Sequence, residues 1–300
     1  MKEAIAFYWL VAKKGIICTK MNQPIVLLTD FGTTDPFVGI MKGVLAGITP
    51  QNQTIDLTHE VPPGNIQRGA FTLWQSLSYF PEGSVFLVVV DPGVGTQRSP
   101  IILKTRGYTF VGPDNGLFTF ILEDPYQAWK LQNPRFALSN PGMTFHGRDI
   151  FAPAAGYAAL GTPGPEFGEP IQDLVRIPLP KLKFSAPGEI RGQILHADHF
   201  GNLLTSLGSF TPIDNQHFRF SSWIGSGIKT EIDISQANLH LPSGKLLSWA
   251  STFGQIPEDD CAFILGSSGL LEIAANRKSA ADLLQLRGGE KISLQFTTTP

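Results

Sequence analysis

Asp91 closes the apolar run Ser84-Val85-Phe86-Leu87-Val88-Val89-Val90 and opens the turn Pro92-Gly93-Val94-Gly95-Thr96, which delivers Arg98 shortly afterwards. A continuous apolar run bounded by Gly and Pro reads as a strand buried on both faces, as in the middle of a parallel sheet. Ligands of open α/β sheets sit just beyond the carboxyl ends of such strands, so a carboxylate there is placed to meet a ligand rather than to pack. The segment Ile25-Val26-Leu27-Leu28-Thr29-Asp30-Phe31-Gly32 repeats the arrangement, with Gly32 letting the backbone turn. Two acids are therefore expected to line one crevice.

Other polar residues fall at strand ends and turns: Asp35, His59, Asp114, Asn115, His146, Arg148, Asp149, Asp198 and Asn202. Many sit beside glycine, as in Gly112-Pro113-Asp114-Asn115-Gly116, Phe145-His146-Gly147-Arg148-Asp149 and Asp198-His199-Phe200-Gly201-Asn202, where the backbone can approach a ligand closely. Several also have purely structural uses. Asp30 and Asp114-Asn115 suit turn closure by their own side chains, Asp149 suits a helix start, and His59 suits a hydrogen-bonded strand end. Pro92-Gly93-Val94-Gly95 lacks both the dinucleotide fingerprint and the Lys-Ser/Thr ending of a phosphate loop. His59, His146, Asp91, Asp149 and Asp198 show no zinc-type spacing, and His196 with Asp198 gives only two ligands on one strand face, so no metal is assigned. Gly266-Ser267-Ser268-Gly269 is not a nucleophile elbow.

The elements that must position these residues change character along the chain. From Ile25 to about Gly161, strand and helix alternate: strands at 25–29, 54–58, 85–90, 101–104 and 108–111, helices at 38–48, 66–80, 116–122 and 149–160. This predicts an α/β domain over 21–162 with a mostly parallel central sheet. Pro163, Pro165, Pro170, Pro178, Pro180 and Pro187 then interrupt every period, predicting a linker over 163–187. Short strand-like segments from 193 to 297 predict an all-β, barrel-like domain over 188–300. One helix is expected within it, with Ser279 as N-cap and Asp282 three residues on.

At 300 residues the chain can hold two cores. An apolar fraction of 42% with 16% charged residues fits a folded soluble protein, and a net charge of −2 gives no basic field for nucleic acid or an anionic membrane. Cys18 and Cys261 are too few for a disulfide scaffold, which points to a reducing, cytoplasmic setting. The apolar stretch 4–12 is too short to span a bilayer, and Lys13-Lys14 follow it without a cleavage site. With Met21 just before the first strand, residues 1–20 are read as a dispensable extension.

The segments Thr29-Asp30-Phe31-Gly32, Met41-Lys42-Gly43, Asp56-Leu57-Thr58-His59, Val90-Asp91-Pro92-Gly93-Val94-Gly95-Thr96 with Arg98, Pro113-Asp114-Asn115-Gly116, Thr144-Phe145-His146-Gly147-Arg148-Asp149 and Phe200-Gly201-Asn202 occur in this order. Together they resemble the S-adenosyl-L-methionine hydrolases, also called SAM hydroxide adenosyltransferases, which are related to the bacterial fluorinases and chlorinases. The resemblance runs from about Ile25 to Phe296. It implies an N-terminal α/β domain, a C-terminal barrel-like domain and a homotrimer with active sites between neighbouring subunits. It also implies that Asp91, Arg98 and His146 hold a water or hydroxide. Asp30 would bind the ribose hydroxyls, and Asp35, Asp198 and Ser267 would surround the methionine amine. Ser268 would lie near the methionine carboxylate, Asn202 and Phe200 would hold the adenine, and Phe145 would also contact substrate. The halide-using relatives carry tyrosine in place of Asp91, threonine in place of Val94 and an extra loop after the Arg98 region, so this chain resembles the hydrolase branch. Gly64 stands where fluorinases have an aromatic beside the ribose.

The reaction so implied yields adenosine and L-methionine. A sulfonium leaves as a neutral thioether, so attack of water at the ribose C5′ needs no acid on the leaving group and no cofactor or metal; it needs a positioned water. Arg98 stays protonated and can favour and orient hydroxide. His146 can accept or relay a proton, and Asp91 can fix Arg98 and the water. Two alternatives stand beside this reading: a halide-dependent adenosyl transferase, and a non-catalytic adenosine- or S-adenosylmethionine-binding regulator.

Overall fold

The computed structural model describes residues 23–185, 188–225 and 227–297. The readings made for residues 1–20, for Cys18 and for Met21 lie outside this range. The chain divides into two units between Ile177 and Pro178.

In the first unit the order is β1 (Ile25–Thr29), α1 (Phe37–Ile48), β2 (Thr54–Thr58), α2 (Ile66–Ser76), β3 (Val85–Val89), β4 (Pro100–Thr105), β5 (Tyr108–Pro113) and β6 (Gln127–Lys130). The helix α3 (Ala152–Ala159) and the single turn α4 (Gly164–Phe167) follow. The apolar runs behave as their composition requires, and β1 and β3 are buried at every position. They form a six-stranded sheet in the order β2-β1-β3-β5-β4-β6. β2, β1, β3 and β5 are parallel neighbours, while β4 is antiparallel to both β5 and β6. Alternate side chains of β1 and β3 feed two cores. Ile25, Leu27, Val85, Leu87 and Val89 pack with Met41 and Leu45 of α1 and with Ala152, Ala154 and Ala155 of α3. Val26, Leu28, Phe86 and Val88 pack with Leu73 of α2 and with Phe110.

This winding creates a switch point. The chain leaves β1 toward β2 on one side and leaves β3 toward β5 and β4 on the other, so the carboxyl ends of these adjacent strands border a crevice. Asp30 and Asp91 follow those two ends. The proline-rich segment begins as an edge of this unit. Lys130 N donates to Glu169 O (2.9 Å), Ile171 N to Ala128 O (2.9 Å), and Val175 N to Asp114 Oδ1 (2.9 Å).

Residues 116–122 differ from the helix expected there. They form successive tight turns, with Gly116 at φ +97° and with Thr119 Oγ1 donating to Gly116 O (2.6 Å). Leu117, Phe118, Phe120 and Ile121 are all buried, so the segment has no polar face to set a helical period.

The second unit is β-rich: β7 (Lys183–Ser185), β8 (Glu189–Ala197), β9 (Leu203–Gly208), β10 (Phe210–Pro212), β11 (His217–Ser221), β12 (Lys229–Asp233), β13 (Asn238–His240), β14 (Leu246–Ser248), β15 (Cys261–Leu265), β16 (Leu270–Ala275) and β17 (Lys291–Gln295). Its main sheet runs β14-β13-β17-β8-β9-β16-β15, and a bridge between Trp249 and Phe263 links its two ends into a nearly closed barrel. β8 is long enough to pair with β17 along its first half and β9 along its second. Ile190, Ile194, Leu203, Leu207, Phe263 and Leu271 fill the interior. β10, β11 and β12 make a separate three-stranded sheet. The helix α5 (Ala280–Leu284) starts at Ser279, whose Oγ accepts from Asp282 N (3.1 Å). No helix among the described residues is long and apolar enough to cross a membrane.

Backbone proximity between β3 and β5 gives a stability prediction. A Cβ on Gly112 would lie 2.2 Å from Val88 O, whereas one on Gly47, exposed in α1, would meet nothing within 4 Å. Gly112→Ala is expected to lower unfolding free energy by about 1–3 kcal/mol. Gly47→Ala is expected to raise it by about 0.5–1 kcal/mol. Urea titrations followed by tryptophan fluorescence give both values, and equal effects would contradict the packing described.

Candidate active site

The turn after β3 is built on its own hydrogen bonds: Val94 N donates to Asp91 O (3.2 Å), and Thr96 N donates to Gly93 O (3.1 Å). Gly95 lies at φ +77°, and a Cβ there would stand 2.8 Å from Met143 O, so both conformation and contact demand glycine. The turn brings Arg98 back over Asp91. Arg98 Nε donates to Asp91 Oδ1 (2.9 Å) and Oδ2 (3.0 Å), and Nη2 donates to Oδ2 as well. Both side chains are almost fully shielded, at 8% and 4% exposure. The guanidinium also lies 5.2 Å from the centre of the Phe151 ring.

Asp114 and Asn115 brace this turn from behind. Asn115 Nδ2 donates to Val90 O (2.9 Å), immediately before Asp91, and Asp114 N donates to Ser99 O (2.8 Å), immediately after Arg98. Their role is structural. Burial pushes the Asp114 carboxyl up, against the single hydrogen bond from Val175 N. His59 is structural too, with Nδ1 2.8 Å from Thr29 Oγ1 and Nε2 3.0 Å from Asp56 Oδ1.

His146 comes from the segment before α3. There the chain makes a π-helical turn, Gly147–Phe151, of the wide i→i+5 kind often found at functional sites. Asp149, 2% exposed, anchors it: Oδ2 accepts from Gly142 N (2.9 Å), and Arg148 donates to both carboxylate oxygens. His146 Nδ1 lies 2.7 Å from Arg98 Nη2. Arginine can only donate, so Nδ1 must be the acceptor and the neutral ring carries its proton on Nε2. Burial first, and the Arg98 charge second, push the His146 pKa below its ordinary 6.5, against weaker opposite pulls from Asp91 and Asp149.

Asp91 and His146 line a cavity of about 450 Å³ with Phe31, Phe37, Val89, Val94, Thr144, Phe145, Gly147 and Arg148. Phe31, Phe37 and Phe145 meet edge to face, with centroids 5.3–6.0 Å apart. Phe145 was expected from the sequence. Phe31 and Phe37 were not, although the exposure of Phe37 follows from its place as the first residue of α1, off the buried Val38-Met41-Leu45 stripe. Asp30 stands at the end of β1 with Oδ2 accepting from Gly64 N (2.7 Å). Gly64 has φ +70°. Asp35 is exposed before α1.

Asp198, Phe200, Asn202, Ser267 and Ser268 belong to the second unit. Asp198 Oδ1 accepts from Phe200 N and Asn202 N (both 2.8 Å), and Oδ2 accepts from Asn202 Nδ2 (2.9 Å). This leaves Phe200 76% exposed and Asn202 buried. Ser268 Oγ is shielded and has no hydrogen-bond partner. Phe200 and Asn202 border a groove with Phe253, Asn276, Arg277 and Ser279. Among the described residues, no three His, Cys, Asp or Glu side chains are grouped so as to hold a metal ion.

The Arg98–His146 contact predicts how the ring titrates. In two-dimensional proton–carbon spectra, the imidazole signal missing from His146→Asn should titrate with a midpoint below 6.5, and Arg98→Gln should move it upward. The neutral, accepting ring is therefore present at pH 7 and is lost as pH falls through that midpoint. A wild-type midpoint above 6.5 would contradict the contact.

The chain resembles known proteins along most of its length. Residues 25–168 match the SAM hydroxide adenosyltransferase N-terminal domain, and residues 192–293 match the corresponding C-terminal domain. A Thermus thermophilus protein named (R)-S-adenosyl-L-methionine hydrolase is 39% identical over 285 residues, covering 91% of this chain and 99% of its own. A protein of the same name from Salinispora tropica is 36% identical, covering 88% and 94%. An Actinoplanes fluorinase is more distant, at 26% identity over 91% of this chain and 97% of its own. The crystal structure of an uncharacterized conserved protein from Thermotoga maritima superposes with a TM-score of 0.77 at 31% identity, covering 90% of this chain and 99% of that one. With both domains matched in order along most of its length, the chain belongs to the SAM hydroxide adenosyltransferase family.

Proposed function

We propose that the protein is an enzyme that hydrolyses S-adenosyl-L-methionine to adenosine and L-methionine by attack of water on the ribose C5′. The observation that carries this reading is the buried Arg98 guanidinium joining the Asp91 carboxylate to His146 Nδ1 at an aromatic cavity. The names of the relatives at 36–39% identity support it. Displacement breaks the C5′–S⁺ bond, forms a C5′–O bond and returns its electron pair to sulfur as a neutral thioether, while one proton of the water goes to solvent. Asp91 accepts a hydrogen bond from the attacking water and turns an oxygen lone pair toward carbon. Arg98 stabilises hydroxide character on that oxygen.

His146 serves this arrangement as a positioning group. Its Nδ1 lone pair is already held by Arg98, so taking a proton there would break the bond that fixes the guanidinium. Asp30, itself held by Gly64 N, binds the ribose hydroxyls. Asp35, Asp198, Ser267 and Ser268 take the amino-acid end, while Asn202 and Phe200 take the adenine. Asp91 stands where the halide-using relatives have tyrosine, which disfavours halide as nucleophile. The assembly is a homotrimer, with the second-unit contacts supplied by a neighbouring subunit, and the chain works in the cytoplasm.

Variants separate the roles. Asp91→Asn, Arg98→Ala and His146→Ala are each expected to reduce kcat roughly a hundredfold or more with little change in affinity, since a water's alignment matters mainly in the transition state. Asp30→Ala should chiefly raise KM. Assays with each sulfonium epimer, with and without halide and chelator, identify the substrate form and nucleophile. Oxygen-18 water must label the adenosine 5′-hydroxyl; unlabelled adenosine, or near-normal turnover in the three variants, would refute hydroxide attack organised by these residues. Light scattering should give three times the chain mass at working concentration, and an active monomer would refute the shared site.

A further inference from the structure

Glu272 lies in the middle of β16, directly opposite Leu204 of β9 and Ile264 of β15. These neighbours are buried and apolar, and they offer the carboxyl no partner. Among the described residues the Glu272 carboxyl forms no ion pair and accepts no hydrogen bond. Its carboxyl extends over the turn Gly266-Ser267-Ser268-Gly269, which is closed by Gly266 N donating to Leu270 O (2.9 Å) and Gly269 N donating to Gly266 O (3.0 Å). A Cβ at Gly266 would sit 1.9 Å from Glu272 Oε1, so the carboxyl occupies the space where any other residue would place its side chain. In the same turn, Ser268 Oγ is shielded from solvent without a hydrogen-bond partner.

A shielded hydroxyl without a partner is costly in a finished core, and with a half-buried, unpartnered carboxyl over the same turn it is expected where a polar ligand completes both. A second carboxyl stands close by: Asp198 follows two residues after His196, which pairs with Leu204, itself opposite Glu272. The group that satisfies two carboxylates and a hydroxyl together is a cation with several N–H donors, a primary ammonium. We propose that Glu272 is a specificity-determining residue of the second unit, its carboxylate joining Asp198 and Ser268 Oγ around the ammonium group of the substrate's amino-acid end, which moves Ser268 from the carboxylate, where the family resemblance set it, to the ammonium. This rests on the function proposed above and adds to it a residue that the sequence reading did not single out.

The chemistry carries a pH signature. Burial, with the Asp198 charge beside it, pushes the Glu272 carboxyl up to about 7. The groups facing Glu272 across the sheet are Leu204 and Ile264, which do not titrate; His196 lies one strand further along the same row, opposite Leu204. An arriving ammonium favours the ionised carboxylate, so near pH 7 binding expels a proton, and affinity falls as pH drops below that point. At higher pH still the ligand's own amine loses its charge, so affinity is greatest between the two limits.

The test uses two probes and the full-length protein. S-adenosyl-L-homocysteine keeps the ammonium but has no sulfonium to displace; methylthioadenosine lacks the amino-acid end. Calorimetry at pH 7 in two buffers of different ionisation heat should show about half a proton released with the first probe and none with the second. Glu272→Gln should abolish that release, weaken the first probe roughly tenfold, leave the second unchanged, and place the loss for S-adenosylmethionine in KM. Because the proton count comes from the wild-type protein, it stands even if the variant folds poorly. Equal proton release for both probes, or no release from the wild type, would overturn the role of Glu272 while leaving the hydrolysis intact. Failure of both probes to bind, together with no turnover of S-adenosylmethionine, would overturn the proposed function and this inference with it.

Discussion

The buried guanidinium of Arg98 is the constraint around which the first unit is arranged. A buried cation without compensation is strongly unfavourable, and removing one partner of such a pair typically costs about 3–5 kcal/mol. Arg98 is compensated on three sides: Asp91 supplies the opposite charge, His146 Nδ1 accepts another N–H, and Phe151 offers a ring face. Each partner arrives from a different place in the sequence, so the strand end, the glycine turn and the π-helical turn must agree for the charge to be tolerated. Asp114-Asn115 and Asp149 secure that agreement through backbone bonds at Val90, Ser99 and Gly142, without facing the guanidinium themselves.

Much of this was legible in the sequence because the determinants are local. Apolar runs ending in Asp-Phe-Gly and Asp-Pro-Gly gave β1 and β3, and the order of strands put their ends together. Alternation of helix and strand gave the mostly parallel sheet, and short segments with turn residues gave the barrel-like second unit. Of the residues named by family resemblance, Asp91 and His146 line one cavity in the structure, and Arg98 bonds to both. What escaped depends on distant partners. β13 and β14 have three residues each and little apolar periodicity; their register exists because β17 is already there to pair with. β6 was missed because its four residues begin and end with polar side chains, its place being fixed by β4 and by Pro170. The reverse error, a helix over 116–122, arose because a segment buried on all sides looks apolar at every period.

Some site features could not be read from residue types at all. Nothing in Phe145-His146-Gly147 says which ring nitrogen is protonated; only the arrival of an obligate donor at Nδ1 fixes the tautomer. Phe31 and Phe37 look like ordinary core residues until Gly147 is seen to leave room for the cluster: a Cβ there would lie 3.0 Å from Phe145 and 3.3 Å from Phe31. Glu272 alternates with apolar neighbours in β16 as an outward-facing residue should. Its significance lies in the partners it lacks.

The neutral state of His146 matters because the proposed substrate is itself a cation at the reacting centre. Around the cavity Arg98 is balanced by Asp91, and Arg148 by Asp149, so with His146 uncharged these groups sum to zero. Three aromatic rings line the cavity as well, and aromatic rings attract a cation without neutralising it. A protonated His146 would add a positive charge where the sulfonium must approach, and would surrender the acceptor that holds Arg98. Burial and Arg98 together press the ring toward its neutral form. The cation that organises the nucleophile thereby keeps its own histidine partner from becoming a second cation, and a positively charged substrate can share a pocket with an arginine.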